Sequence, residues 1–138
     1  MTPIDFAKAL LTAVLIMVLN VAISFAVVAV YSYAVDPGHD EAYYQAMAER
    51  IAPWSSVVFG IPLFYVASFV LARRKPERPA VGFALTVAGI YIAADAALIF
   101  FLDALSALGA IVPLSFATKL IAAFAGARMG RVGNAPAS

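Results

Sequence analysis

Residues 80–127 form a long apolar run that, besides Asp103 near its middle, holds two ionisable side chains, Asp95 and Lys119, well inside what should be lipid-spanning helix. At about 1.5 Å per helical residue, a run of this length is about twice what one bilayer crossing needs. It has to double back, and the stretch from Asp103 to Gly109 is where the chain can turn. The first expectation is therefore a helical hairpin in lipid that carries charge within its spans.

The rest of the chain agrees with that solvent. Hydrophobic residues make up 64% of it and charged ones 12%, whereas soluble domains are about a quarter charged. Mean hydropathy is +0.96. The net charge of +1 and the absence of a basic, aromatic-studded surface leave nothing for nucleic acid to bind. With no cysteine there are no disulfides, thiolate metal sites or thiol nucleophiles, and a single histidine remains for imidazole chemistry.

From the N-terminus, residues 6–35 are apolar apart from interruptions such as Asn20 and Ser24, long enough for a tilted first span. A cleaved signal peptide is the competing reading, but the apolar stretch is about twice the usual length of a signal core and only Lys8 marks a basic flank. Asp36-Pro37-Gly38-His39-Asp40-Glu41 ends the span in a water-facing loop. Residues 41–51 then return to helical spacing, with Tyr43, Tyr44, Met47 and Ile51 against Glu41, Gln45, Glu49 and Arg50. This pattern predicts a short amphipathic helix lying on the outer membrane surface. Tyr43, Tyr44 and Trp54 suit the interfacial aromatic belt. Pro53 opens a second span over 54–72, with Pro62 near its middle, which either kinks the span or leaves the Val58 carbonyl short of a donor.

Orientation follows from the bases. Arg73, Arg74, Lys75 and Arg78 fill the short loop before the third span, and Lys8, Arg128 and Arg131 fall on the same side, so seven of the nine bases lie together. Basic short loops stay cytoplasmic, which puts both termini inside the cell. The tail over 129–138, rich in Gly, Ala and Ser, is expected to be disordered.

The third span, 80–103, and the fourth, 108–127, each carry a ridge of small residues: Gly89, Ala93 and Ala97 in one, Thr118, Ala122 and Gly126 in the other. Such ridges let helices approach closely. Asp95 lies about 200° around its helix from Ala93, beside Tyr91, so the third span is expected to meet neighbours on two sides. Counting depth from the cytoplasmic ends puts Asp95 about 22 Å and Asn20 about 21 Å along their helices. Asn20, Ser24, Ser56, Tyr91 and Asp95 could therefore converge in the outer half, with Lys119 about 12 Å from the inner end and able to reach up to Asp95 or down to the interface.

A carboxylate in hydrocarbon is costly and shifts toward the protonated form, which suits either a proton-coupling residue or a structural group held by Asn20, Tyr91, Lys119 or another subunit. His39 among Asp36, Asp40 and Glu41 gives too little ligand specificity for a metal site. The same lone histidine lies outside the spans, so no buried Ser/His/Asp triad can form. No Walker-type loop or HExxH occurs, and no cofactor is expected. We therefore read an all-α integral membrane protein of the cytoplasmic membrane: one domain, a bundle of four transmembrane helices, and a short extracytoplasmic amphipathic helix between spans one and two. The expected role is a non-enzymatic subunit or interaction partner in a membrane assembly, with lipid and another membrane protein or a second copy as partners. The alternative is a small homo-oligomeric proton-coupled transporter or channel using Asp95.

Overall fold

The structure is a computed structural model that describes residues 2–75, 79–102 and 108–132. Among the described residues it is all-helical. Helix α1 spans Pro3–Val30 and widens into a π-helical turn over Tyr31–Val35; α2 spans Glu41–Arg74, α3 Ala80–Phe101 and α4 Ile111–Val132. All four are long and apolar enough to cross a membrane.

Local chemistry explains where they start and turn. Thr2 caps α1 by accepting from the Asp5 amide while the Asp5 carboxylate accepts from the Thr2 amide, and Pro3 occupies the first turn, where no amide donor is needed. The Asp40 carboxylate caps α2 by accepting from the Tyr43 amide at 2.9 Å. Gly38 and Gly109 have positive φ, +100° and +50°, in the two turns where L side chains would be strained. Asp103, expected to open the hairpin turn, lies outside the described residues.

Two boundaries differ from the sequence expectation. The surface helix over 41–51 and the span over 54–72 are one continuous helix, α2, with Pro53 and Pro62 inside it. Residues 41–52 are mostly good helix formers, and the bond that Pro53 removes is to the carbonyl of the exposed Glu49, so the helix propagates through it. Helix α4 also runs on to Val132, past the start of the expected disordered tail, because Gly126, Ala127 and Gly130 are buried against neighbouring helices. Residues 133–138 lie outside the described ones.

Each helix buries one stripe at three-and-four spacing: Ala9, Ala13, Ile16 and Asn20 in α1; Gly60, Phe64, Ser68 and Ala72 in α2; Phe83, Val87 and Tyr91 in α3; Ser115, Lys119, Ala122 and Gly126 in α4. The outer faces are equally apolar, with Leu11, Val18, Phe25, Val66, Phe100 and Ile121 exposed. The tightest contact joins α2 and α4. A Cβ at Gly126 would collide with the Tyr65 carbonyl, and one at Gly130 with the Phe69 carbonyl, so these glycines let two backbones touch. The other principal contacts are α1 with α2, α1 with α3, and α3 with α4.

The two small ridges therefore have different fates. Ala122 and Gly126 are buried, and Thr118 is half-buried at the edge of the α2–α4 contact. Gly89, Ala93 and Ala97 are exposed, and a Cβ at Gly89 would meet nothing within 4 Å. Helix α3 thus meets its neighbours in this chain on one side, the face of Phe83, Val87 and Tyr91, rather than on two. The reason is rotational: the Asp95 and Tyr91 side turns inward, which carries the glycine ridge outward.

Candidate functional site

One side chain from each helix reaches the same point in the bundle. Asn20 of α1 donates through Nδ2 to the Ser56 hydroxyl of α2 at 2.9 Å and to the Tyr91 hydroxyl of α3 at 2.7 Å. Lys119 of α4 donates through Nζ to the same two oxygens, at 3.1 Å to Ser56 and 3.4 Å to Tyr91. Its ammonium also lies 4.6 Å from the centre of the Tyr91 ring, which Phe64 meets edge to face. Asp95, one helical turn beyond Tyr91 on α3, places Oδ2 3.8 Å from Nζ.

Lys119 is 0% exposed. Its stem crosses α2 at Gly60, where a Cβ would stand 2.8 Å from the lysine Cε, so the glycine provides the channel through which the side chain passes. An enclosed ammonium of this kind persists only with hydrogen-bond acceptors and a counter-ion around it. Ser56, Tyr91 and Asp95 supply them. The alternative in which Lys119 reaches down to the inner interface is excluded by this geometry.

Asp95 differs from its partner. Its side chain keeps 28% exposure, and among the described residues no donor lies within hydrogen-bonding distance of it. It borders two clefts. The larger, of about 300 Å³, lies between α1, α2 and α3 and includes Asn20, Ser24, Ser56, Tyr91 and Asp95; the smaller, of about 120 Å³, lies between α2, α3 and α4 and meets the first at Ser56 and Asp95. Asn20 is 4% exposed, and its Oδ1 has no hydrogen-bond partner among the described residues. Turning the amide over would give Oδ1 both hydroxyls and leave Nδ2 short instead, so the site is one group under-satisfied in either orientation.

All of the expected polar residues are therefore drawn together, Ser24 through a 2.7 Å contact with Ser55. Ser55 was not anticipated: it lies about 100° around α2 from Ser56 and donates to the Ala52 carbonyl of its own helix at 2.8 Å, and only the azimuth of α1 brings Ser24 to it. Gly60 and Gly130 were also missed as packing positions. Gly130 sits four residues beyond Gly126 and extends the ridge, a signal hidden by the polar composition that follows it.

A second polar cluster closes the other end of α1. The Asp36 carboxylate accepts from the Tyr43 hydroxyl at 2.6 Å, contacts His39 Nε2 at 3.1 Å and meets Tyr31 at 3.4 Å. The Tyr44 hydroxyl donates to the Asp36 carbonyl at 2.9 Å, and the His39 ring stacks on Tyr43 at 4.0 Å. These hydrogen bonds, Tyr43 first and His39 next, hold the Asp36 carboxyl below its ordinary value. A depressed carboxyl stabilises the fold above its unfolded pKa, and that contribution is lost as pH falls through the lower folded value. The cluster joins the loop to the first turns of α2, which is what the acidic, histidine-containing sequence does here.

Comparison with protein-family models, curated proteins and solved structures finds no match to this chain. Function is therefore read from the bundle itself.

Proposed function

We propose that the chain is a multi-pass protein of the cytoplasmic membrane, with both termini cytoplasmic, acting without catalysis as a subunit or interaction partner in a membrane assembly. The outward ridge of Gly89, Ala93 and Ala97 on α3 carries this reading. Within the chain, a ridge of the same kind on α4 is seated against the α2 backbone at Gly126. The α3 ridge offers another helix the same approach, with no polar group to desolvate. Asp95 already has Lys119 inside the chain and needs no second subunit to neutralise it.

The test is extraction at native expression in a mild detergent, followed by the mass and composition of the particle. A defined complex, with a different membrane protein or with further copies, is expected. Gly89→Leu with Ala93→Leu should release the chain from it. A strictly monomeric particle, or a complex indifferent to both substitutions, would remove the reading.

One observation favours a second reading, a small homo-oligomeric proton-coupled transporter or channel. Asp95 is a half-buried carboxylate beside an enclosed lysine and borders two clefts, both toward the Asp36 end of the bundle, through which a proton could reach it. In liposomes loaded with a pH-sensitive dye, Asp95→Asn should abolish the proton flux of the wild type, and equal flux in both would exclude it.

A further inference from the structure

The larger cleft has a floor and walls of different chemistry. Its walls include Met17, Val21, Phe25, Val28 and Leu98, and its floor carries the Asp95 carboxylate. The cation of the floor is sealed, since Lys119 is wholly enclosed, and the neutral Asn20, Ser56 and Tyr91 side chains are engaged with one another. The charged group that remains open is the Asp95 carboxylate. One Asp95 oxygen faces Lys119 at 3.8 Å, beyond hydrogen-bonding range, and the other has no donor among the described residues. A volume of about 300 Å³ is at the small end of ligand sites.

We propose that this cleft binds a small amphipathic amine as its ammonium ion, with Asp95 as counter-ion and Lys119 as the internal cation that competes for it. The apolar walls take the hydrocarbon body, and the carboxylate takes the N–H donors at closer range than Lys119 achieves. The inference is independent of the assembly reading, since none of these groups lies on the Gly89 ridge.

Lys119 gives the proposal a signature that a purely structural ion pair lacks. Its charge opposes that of the bound amine, so removing it should tighten binding even though it removes a native contact. The full-length protein in detergent would be titrated with phenethylamine at neutral pH, with 2-phenylethanol and phenylacetate as neutral and anionic counterparts. Saturable binding of the amine alone is expected. Lys119→Met should tighten it at least about tenfold, from the loss of a nearby like charge. Asp95→Asn combined with Lys119→Met, which leaves no unpaired charge to unfold the bundle, should weaken it at least about thirtyfold relative to Lys119→Met alone.

Competition by phosphatidylethanolamine would identify the natural ammonium as a lipid headgroup, and its absence would point to a soluble amine; either supports the site. Equal binding of amine and alcohol, amine binding that survives in the double variant, or no saturable binding in wild type and Lys119→Met would each overturn it.

Discussion

Asp95→Asn removes the one carboxylate within 4 Å of the Lys119 ammonium among the described residues and leaves an enclosed charge without compensation. Breaking a buried pair in this way costs about 3 kcal/mol or more, and the expected result is a clear fall in thermal stability in detergent. Lys119→Met should cost less, because methionine fills the path beside Gly60 and the remaining carboxylate opens to two clefts. The combined variant should recover much of the loss, since neither charge is then stranded. If Asp95→Asn alone were as stable as wild type, the pair would carry no stabilising role. Residues such as these were partly legible from rise per residue alone: Asn20 and Asp95 share a level because their helices enter from the same side. Depth says nothing of azimuth, which is why the Ser24 partner, Ser55, and the passage at Gly60 emerge only from the assembled bundle.

Helix α2 shows how little a single proline does when the sequence around it favours helix. Its length of 34 residues corresponds to about 50 Å, more than the about 30 Å of a hydrocarbon core, and its first turns carry Tyr43 and Tyr44 to Asp36. Spin labels at Ala42 and Val66, both exposed, should be separated by about 36 Å if α2 is continuous. A surface helix folded over at Pro53 would give a markedly shorter distance and refute continuity. The close contact of α2 with α4 makes an opposite pair of predictions for two glycines. Gly126→Ala drives a methyl into the Tyr65 carbonyl and should destabilise the protein by about 1–3 kcal/mol. Gly89→Ala meets open space and should leave the isolated chain as stable or up to about 1 kcal/mol more so. Equal effects in thermal unfolding would mean that the α3 ridge is already occupied within the chain.

For the whole molecule, the proposed orientation is checked by single cysteines in a chain that has none of its own. A thiol at Lys75 should be shielded from an impermeant reagent in intact cells and one at Ala42 should be labelled; the reverse pattern would invert the topology. At this scale the sequence alone determined that there would be four long apolar helices, because hydrophobic runs of sufficient length and the breaks at Pro37-Gly38 and Gly109 are local properties. It also determined that ionisable groups, Asp95 and Lys119, would lie within the apolar helices. Which face of each helix turns inward was decided by tertiary structure. Helices apolar all round have almost no amphipathic signal to orient them, so rotation is chosen by where backbones can touch and where polar groups can be satisfied. The α4 glycines select the α2 contact, Lys119 selects Gly60 and Ser56, and Asn20 and Tyr91 complete the network. The same choice turns Gly89, Ala93 and Ala97 outward, since one rotation of α3 cannot bury both its tyrosine and its glycine ridge.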